Sequence, residues 1–232
     1  MKPDITEYTL SVPAERPVTF AVVADLHNKP YSQIMEALRE KTPDAILAVG
    51  DIIERDPGKQ ADGRAFLTEC ARLRPTFYAF GNHETGMDEA LIGTIPETGV
   101  KLLRNASVHF GEWNIGGLGG ELTMDPDSAA FLDRFAREDG KKILLCHEPD
   151  RYYRYGIAKY GFPVIVSGHA HGGQIRVFGQ GLYAPGQGIF PKYTAGVHGG
   201  CHVISRGLAN HEKLVPRLWN HPELVYFTVG RR

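Results

Sequence analysis

Cysteine is scarce in this chain of 232 residues: Cys70, Cys146 and Cys201 are all it has, an odd number with no C-x-x-C spacing. A disulfide framework and a thiolate zinc knuckle are therefore disfavoured, and reduced thiols in a cytoplasmic protein are the expectation. An excess of either charge is also missing. Lys and Arg number 26 against 27 Asp and Glu, a net charge of −1, so the global balance gives no reason to expect nucleic acid or an anionic membrane as partner. Long apolar runs are absent too. VTFAVVADL, the longest near the start, is too short to cross a bilayer and has no cationic lead-in, so neither a signal peptide nor an anchor is expected. With no repeat, low-complexity tract or linker-like stretch, a single domain over residues 1–232 is the economical expectation.

Short apolar runs closed by turn signals are abundant. VTFAVVA (18–24), DAILAVG (44–50), TFYAFG (76–81), KILLC (142–146) and FPVIVSG (162–168) are nearly continuous in apolar residues. Such strands are buried on both faces, as in a sheet covered by helices. Helical patterns lie between several of them: YSQIMEALREK after Pro30, ADGRAFLTECARLR (61–74) and DPDSAAFLDRFARED (125–139), the last with Asp and Ser at its start. Alternation and Gly/Asn turns in KLLRNASVHFGEWNIGGLGG (101–120) predict an antiparallel hairpin. IRVFGQGLYAP, GCHVISRG and ELVYFTV also read as strands. The pattern predicts an α/β domain whose sheet is extended at its edges by antiparallel strands.

The first polar residues after each buried run carry the functional signal. Asp25 and His27 follow the first, Asp51 the second, Asn82 and His83 the third, His147 the fourth, and His169 and His171 the fifth. Ligand sites of open α/β sheets lie at such carboxyl ends. One Asp or Asn after a strand is usually a turn residue or helix cap, but turn chemistry has no use for histidine at strand end after strand end. Two carboxylates, four imidazoles and an amide oxygen exceed what one tetrahedral zinc accepts. They suit two divalent ions sharing a carboxylate, and the mixed N/O donors favour Mn, Fe, Zn or Co over Mg or Ca. Such a pair activates water and clamps the attacking and leaving oxygens of a phosphoryl displacement.

The motifs ADLH (24–27), VGD (49–51), GNHE (81–84), CHE (146–148) and GHAH (168–171), in this order, resemble those of the calcineurin-like metallophosphoesterases. HGGQIRV, SRGL and VPRLWNHPEL in the tail are similar to the bacterial branch of YkuE-like and YaeI-like enzymes. The resemblance implies a four-layer α/β/β/α sandwich, with mixed β-sheets flanked by helices. It implies that Asp25, His27 and His171 hold one metal, that Asp51 bridges, and that Asn82, His147 and His169 complete the second. It gives His83 the role of acid on the leaving oxygen, with Asn82 and His83 contacting the substrate. The implied activity is hydrolysis of phosphate esters, diesters above monoesters, by in-line attack of a metal-bridging hydroxide. Hydrolysis of a UDP-sugar lipid pyrophosphate and a non-catalytic scaffold on the same fold are the alternative readings.

Other positions divide between two roles. Glu84 and Glu148, directly after ligand motifs, are either acceptors that orient a ligating histidine or solvated loop carboxylates. His198 in GVHGG is either a turn residue or a group reaching the cleft. His109, His202, His211 and His221 lack ligand spacing and are expected to be surface or structural. RYYRYGIAKY (151–160) reads as an amphipathic helix on the sheet, or as a pocket wall offering Arg151 or Arg154 to a phosphate. In GHAHGGQI a spacing of two places both imidazoles on one side of an extended backbone. The glycines around them are expected to let that backbone lie close to the ions.

Overall fold

The computed structural model describes residues 2–120, 124–209 and 217–230. In chain order the strands are β1 (Asp4–Thr9), β2 (Val18–Val23), β3 (Ala45–Val49), β4 (Thr76–Ala79), β5 (Lys101–Leu103), β6 (Ala106–Phe110), β7 (Trp113–Gly117), β8 (Lys141–Leu145) and β9 (Val164–Ser167). Four two-residue strands follow: β10 (Arg176–Val177), β11 (Gln180–Gly181), β12 (Tyr183–Ala184) and β13 (Gly188–Ile189). The last are β14 (Gly196–His198), β15 (His202–Ile204) and β16 (Glu223–Val229). The main helices are α1 (Ser32–Glu40), α2 (Ala61–Leu73), α3 (Glu89–Gly93), α4 (Pro126–Arg137) and α5 (Pro149–Arg154).

Two six-stranded sheets result, ordered β1-β16-β2-β3-β4-β5 and β14-β15-β9-β8-β7-β6. Alternate residues of one strand serve different cores. In β3, Leu47 and Val49 face the other sheet and pack with Phe20, Phe77, Trp113, Ile143, Val166 and Phe227. Ile46 and Ala48 point the other way, against Leu38, Phe66, Leu67 and Cys70 of α1 and α2. On the second sheet Leu144 and Ile165 meet Phe131, Leu132 and Phe135 of α4. The layers are thus helix, sheet, sheet, helix, the sandwich implied by the resemblance. Local chemistry supports the helix starts: Asp125 caps α4 by accepting from the Ser128 backbone N–H at 2.9 Å.

The expectation of one sheet covered by helices is corrected. The five apolar runs divide between two sheets, because a strand packed on helices and another sheet is as continuously apolar as one packed on helices twice. ELVYFTV is no edge addition either: β16 lies inside the first sheet, parallel to β1 and antiparallel to β2. The 101–120 segment likewise serves both sheets. Lys101–Leu103 runs parallel beside β4, and the antiparallel hairpin is β6–β7, from Ala106 to Gly117.

Candidate metal centre

Three strands of the first sheet and two of the second finish in the polar residues singled out above, and parallel pairing keeps those ends level. Where the sheets face each other, Asp25, His27 and His171 bring one donor atom apiece within 4.8 Å of one another, and Asp51, His147 and His169 do the same. Nε2 of His27 and Nε2 of His171 are 3.3 Å apart. Asp51 Oδ2 lies 3.2 Å from His147 Nε2 and 3.9 Å from His27 Nε2. It therefore stands between the two groups, where a shared ligand would stand. Asn82 Oδ1 is buried with no hydrogen-bond donor among the described residues. A buried amide oxygen in that state is costly, and a cation is a partner that fits it.

The backbone turns sharply at these residues. Asp25, His27, Asp51, His169 and His171 have positive φ, between 44° and 65°, a region that costs a non-glycine residue about 1–3 kcal/mol. The surroundings must hold them there. Glu84, fully buried, accepts backbone N–H bonds from Asp51 at 2.9 Å, Ile52 at 2.8 Å, Ile53 at 3.1 Å and Gly81 at 2.8 Å, and another from the Tyr78 hydroxyl. Its place is under the Asp51 loop, not behind a histidine. Asp25 in turn accepts from the His169 N–H at 3.0 Å. His147 Nδ1 is 2.7 Å from the Val49 carbonyl oxygen; donation there leaves Nε2 facing the site.

Glu54 was missed by sequence reasoning, although it lies only three residues past Asp51 in GDIIE. Its carboxylate spans two imidazoles, with Oε1 at 3.2 Å from His27 Nδ1 and Oε2 at 2.9 Å from His83 Nδ1. Those two hydrogen bonds hold the Glu54 carboxyl well below the usual carboxylate range. In return the Glu54 bond, outweighing partial burial, pushes His83 up to about 9. Burial opposes charge on His147, but the Asp51 carboxylate overrides it and lifts the pKa to about 10. Carboxylates so placed hold protons on these imidazoles, and a cation bound at the ligands takes the protons' place. Beside the ligands opens a cleft of about 450 Å³ lined by Glu54, Arg55, Asp56, Asn82 and His83. Within it Arg55 Nη2 donates to the Asn82 carbonyl at 3.3 Å.

The GHAHGGQI loop departs from its expected form. It is a tight turn, with Ala170 N–H donating to Gly168 O at 2.7 Å and Gly173 N–H to Ala170 O at 2.7 Å. Positive φ at both histidines, not an extended backbone, sends His171 toward Asp25 and His169 toward Asp51. Protein fills the space left by the missing side chains. A Cβ on Gly168 would stand 2.7 Å from Asp25 Oδ2, and one on Gly173 2.5 Å from the Gly181 Cα.

Elsewhere the remaining expectations are resolved. Glu148 is buried at the start of α5, its carboxyl pushed up to about 7, by burial first, with His147 acting on it only through charge. The amphipathic helix of 151–160 is a short α5 and a 3₁₀ turn. Arg151 is buried and donates to Gly119 O at 3.1 Å, and Arg154 pairs with Asp150 at 3.0 Å. His198, on β14, bonds Ala195 O at 3.0 Å through Nε2 and belongs to neither donor group. His109 and His221 are exposed, His202 is buried against Ser167 Oγ at 2.7 Å, and His211 lies outside the described residues.

The family model for calcineurin-like phosphoesterases matches residues 18–173. A metallophosphoesterase of Campylobacter jejuni is 31% identical over 161 residues, which are 66% of this chain and 42% of that protein. The phosphodiesterase YaeI of Escherichia coli is 31% identical over 183 residues, 69% of this chain and 63% of YaeI. The chain thus spans less than two thirds of either relative. A crystal structure of a Thermus thermophilus protein superimposes with a TM-score of 0.52 at 13% identity, covering 66% of this chain and 82% of that one, a likeness of fold alone.

Proposed function

This chain belongs to the calcineurin-like phosphoesterase family, in the bacterial branch that includes YaeI, and from that premise we propose that it is a dinuclear metal-dependent phosphodiesterase. The observation that carries the proposal is the pair of donor groups joined at Asp51 Oδ2. Asp25, His27 and His171 would hold one ion, Asn82, His147 and His169 the other, and Asp51 both. Two divalent transition-metal ions of the Mn, Fe or Zn kind, when bound there, would supply activation of water at neutral pH and charge neutralisation for a phosphoryl group.

The chain's own groups do the rest. His83, at the cleft and tethered through Nδ1 to Glu54, holds a proton on Nε2 for the departing oxygen. Glu54 keeps that imidazole oriented and charged. Asn82 and His83 contact the phosphate from the cleft floor, leaving room for a second ester arm in the space toward Arg55 and Asp56. The phosphodiesterase YaeI is consistent with the diester preference. Hydrolysis of aryl mono-, di- and pyrophosphate esters by the metal-loaded protein tests the reading: turnover is expected to be fastest on the diester. A protein that holds two metals and cleaves none of the three would refute it.

A further inference from the structure

Between Asp150 and Glu212 there is no carboxylate side chain, whereas residues 151–211 contain six cations: Arg151, Arg154, Lys159, Arg176, Lys192 and Arg206. The net charge of −1 conceals this asymmetry. Lys159 and Lys192 are exposed, whereas Arg154 is paired with Asp150 and Arg206 with Asp4 and Glu223. The same part of the chain also shows bulky apolar side chains to solvent. Of the eight large hydrophobic residues exposed among those described, seven fall between Val177 and Trp219, with Phe178 fully exposed, Trp219 at 77%, Ile189 at 74% and Phe190 at 69%.

These side chains belong to one hydrogen-bonded layer. Ile175 bridges Leu218, β10 pairs with β11, and the Phe190 N–H donates to Leu182 O at 2.9 Å. Phe178, Phe190 and Trp219 each carry positive φ, 50°, 53° and 52°. That backbone is unfavourable for an aromatic residue, and here it accompanies three rings held in water. Scattered single apolar residues on a surface need no explanation; a layer exposing Phe178, Ile189, Phe190 and Trp219 together does.

We infer that this layer is a peripheral docking surface for an anionic phospholipid bilayer. Trp and Phe on separate short turns suit shallow insertion at the headgroup boundary, where amphipathic rings are favoured. Lys192, exposed two residues from Phe190 and lining the same cleft, suits the negative surface potential of such a membrane. The layer is also fastened to the candidate metal centre. Leu182 N–H donates to Gly173 O at 3.1 Å, and Asn220 Nδ2 donates to His171 O at 2.7 Å. Docking would therefore place the His169–His171 turn beside the headgroup phosphates.

The test uses the full chain with phosphatidylcholine vesicles, with and without phosphatidylglycerol, at low and high salt. The wild type is expected to sediment with the phosphatidylglycerol vesicles at low salt and to be released at high salt. The triple variant Phe178→Ser, Phe190→Ser, Trp219→Ser is expected to lose about tenfold or more in partitioning while keeping its hydrolysis of a soluble aryl diester. Lys192→Glu is expected to weaken binding to the anionic vesicles alone. A wild type that stays in the supernatant with both vesicle types overturns the inference. So does equal partitioning of wild type and triple variant, or a dimer that the triple variant abolishes in the absence of lipid. Because vesicle binding is read without turnover, it stands or falls separately from the phosphodiesterase reading.

Discussion

Two regions of this molecule depart from the ordinary sorting of residues, in opposite directions. At the ends of β2, β3, β8 and β9, Asp25, Asp51, His147, His169 and His171 are buried. In the layer around β10–β13 and Leu218–Trp219, aromatic and aliphatic side chains are exposed. Both regions use positive φ at non-glycine residues. In the first, buried hydrogen bonds to Glu84 and Asp25 hold the strained backbone in place. In the second, the support is a thin set of two-residue strands. The first is a structure prepared for a cation inside the protein; the second, on our inference, awaits a partner outside it.

The largest expected effect falls on the first region. Asp51→Asn removes charge from the oxygen between the two donor groups, and turnover of an aryl phosphodiester is expected to fall on the order of 10²–10³-fold with an unchanged far-UV spectrum. Wild-type turnover would remove Asp51 from the account. Glu84→Ala strips a buried acceptor from four backbone donors and the Tyr78 hydroxyl. It is expected to lower unfolding free energy by about 3–5 kcal/mol in urea titrations; a loss under 1 kcal/mol would mean that Glu84 does not hold the Asp51 loop.

A third buried polar group, His202, separates burial from ligation. Burial pushes its pKa down to about 3, so the folded state binds fewer protons than the unfolded one between about 6.5 and about 3. Stability from this group is present above that window and lost as pH falls through it, on the order of 5 kcal/mol across the full range. His202→Gln is expected to flatten that part of the pH–stability curve, and an unaltered slope would contradict it. Glu54→Gln is expected to lower turnover about 10–100-fold while metal content is retained. Because Glu54 raises the pKa of His83, the alkaline limb of the rate profile is expected to shift to lower pH in this variant. The smallest effect is expected in the second region: Phe178→Ser alone should change stability by no more than about 0.5 kcal/mol, and a larger loss would show that its ring packs.

Legibility from sequence differed between the two regions for a physical reason. Residue type carries the signal at strand ends, since His and Asp after a buried run have few structural uses; Asp25, His27, His171, Asp51, His147 and His169 come together in two donor groups. Glu54 escaped because a carboxylate three residues into a loop looks like any solvated one until the loop is folded. The role of Glu84 was invisible because its partners are backbone N–H groups, which every residue has. The apolar layer was legible as strands, β10, β11 and β12, but not as an exposed surface. IRVFGQGLYAP has the composition of a strand, and composition cannot tell a side chain that packs from one held out in water. Similarly, the division into two sheets was not in the strand pattern, because helices and a second sheet leave the same apolar imprint.

Metal content bears most directly on the central claim. Elemental analysis of the protein purified without added chelator, run beside Asp51→Asn and followed by diester hydrolysis before and after chelation, tests it. The account predicts about two transition-metal ions per wild-type chain, a clear deficit in the variant, and hydrolysis that chelation abolishes and metal restores. Undiminished hydrolysis by a wild-type protein stripped of metal would contradict it.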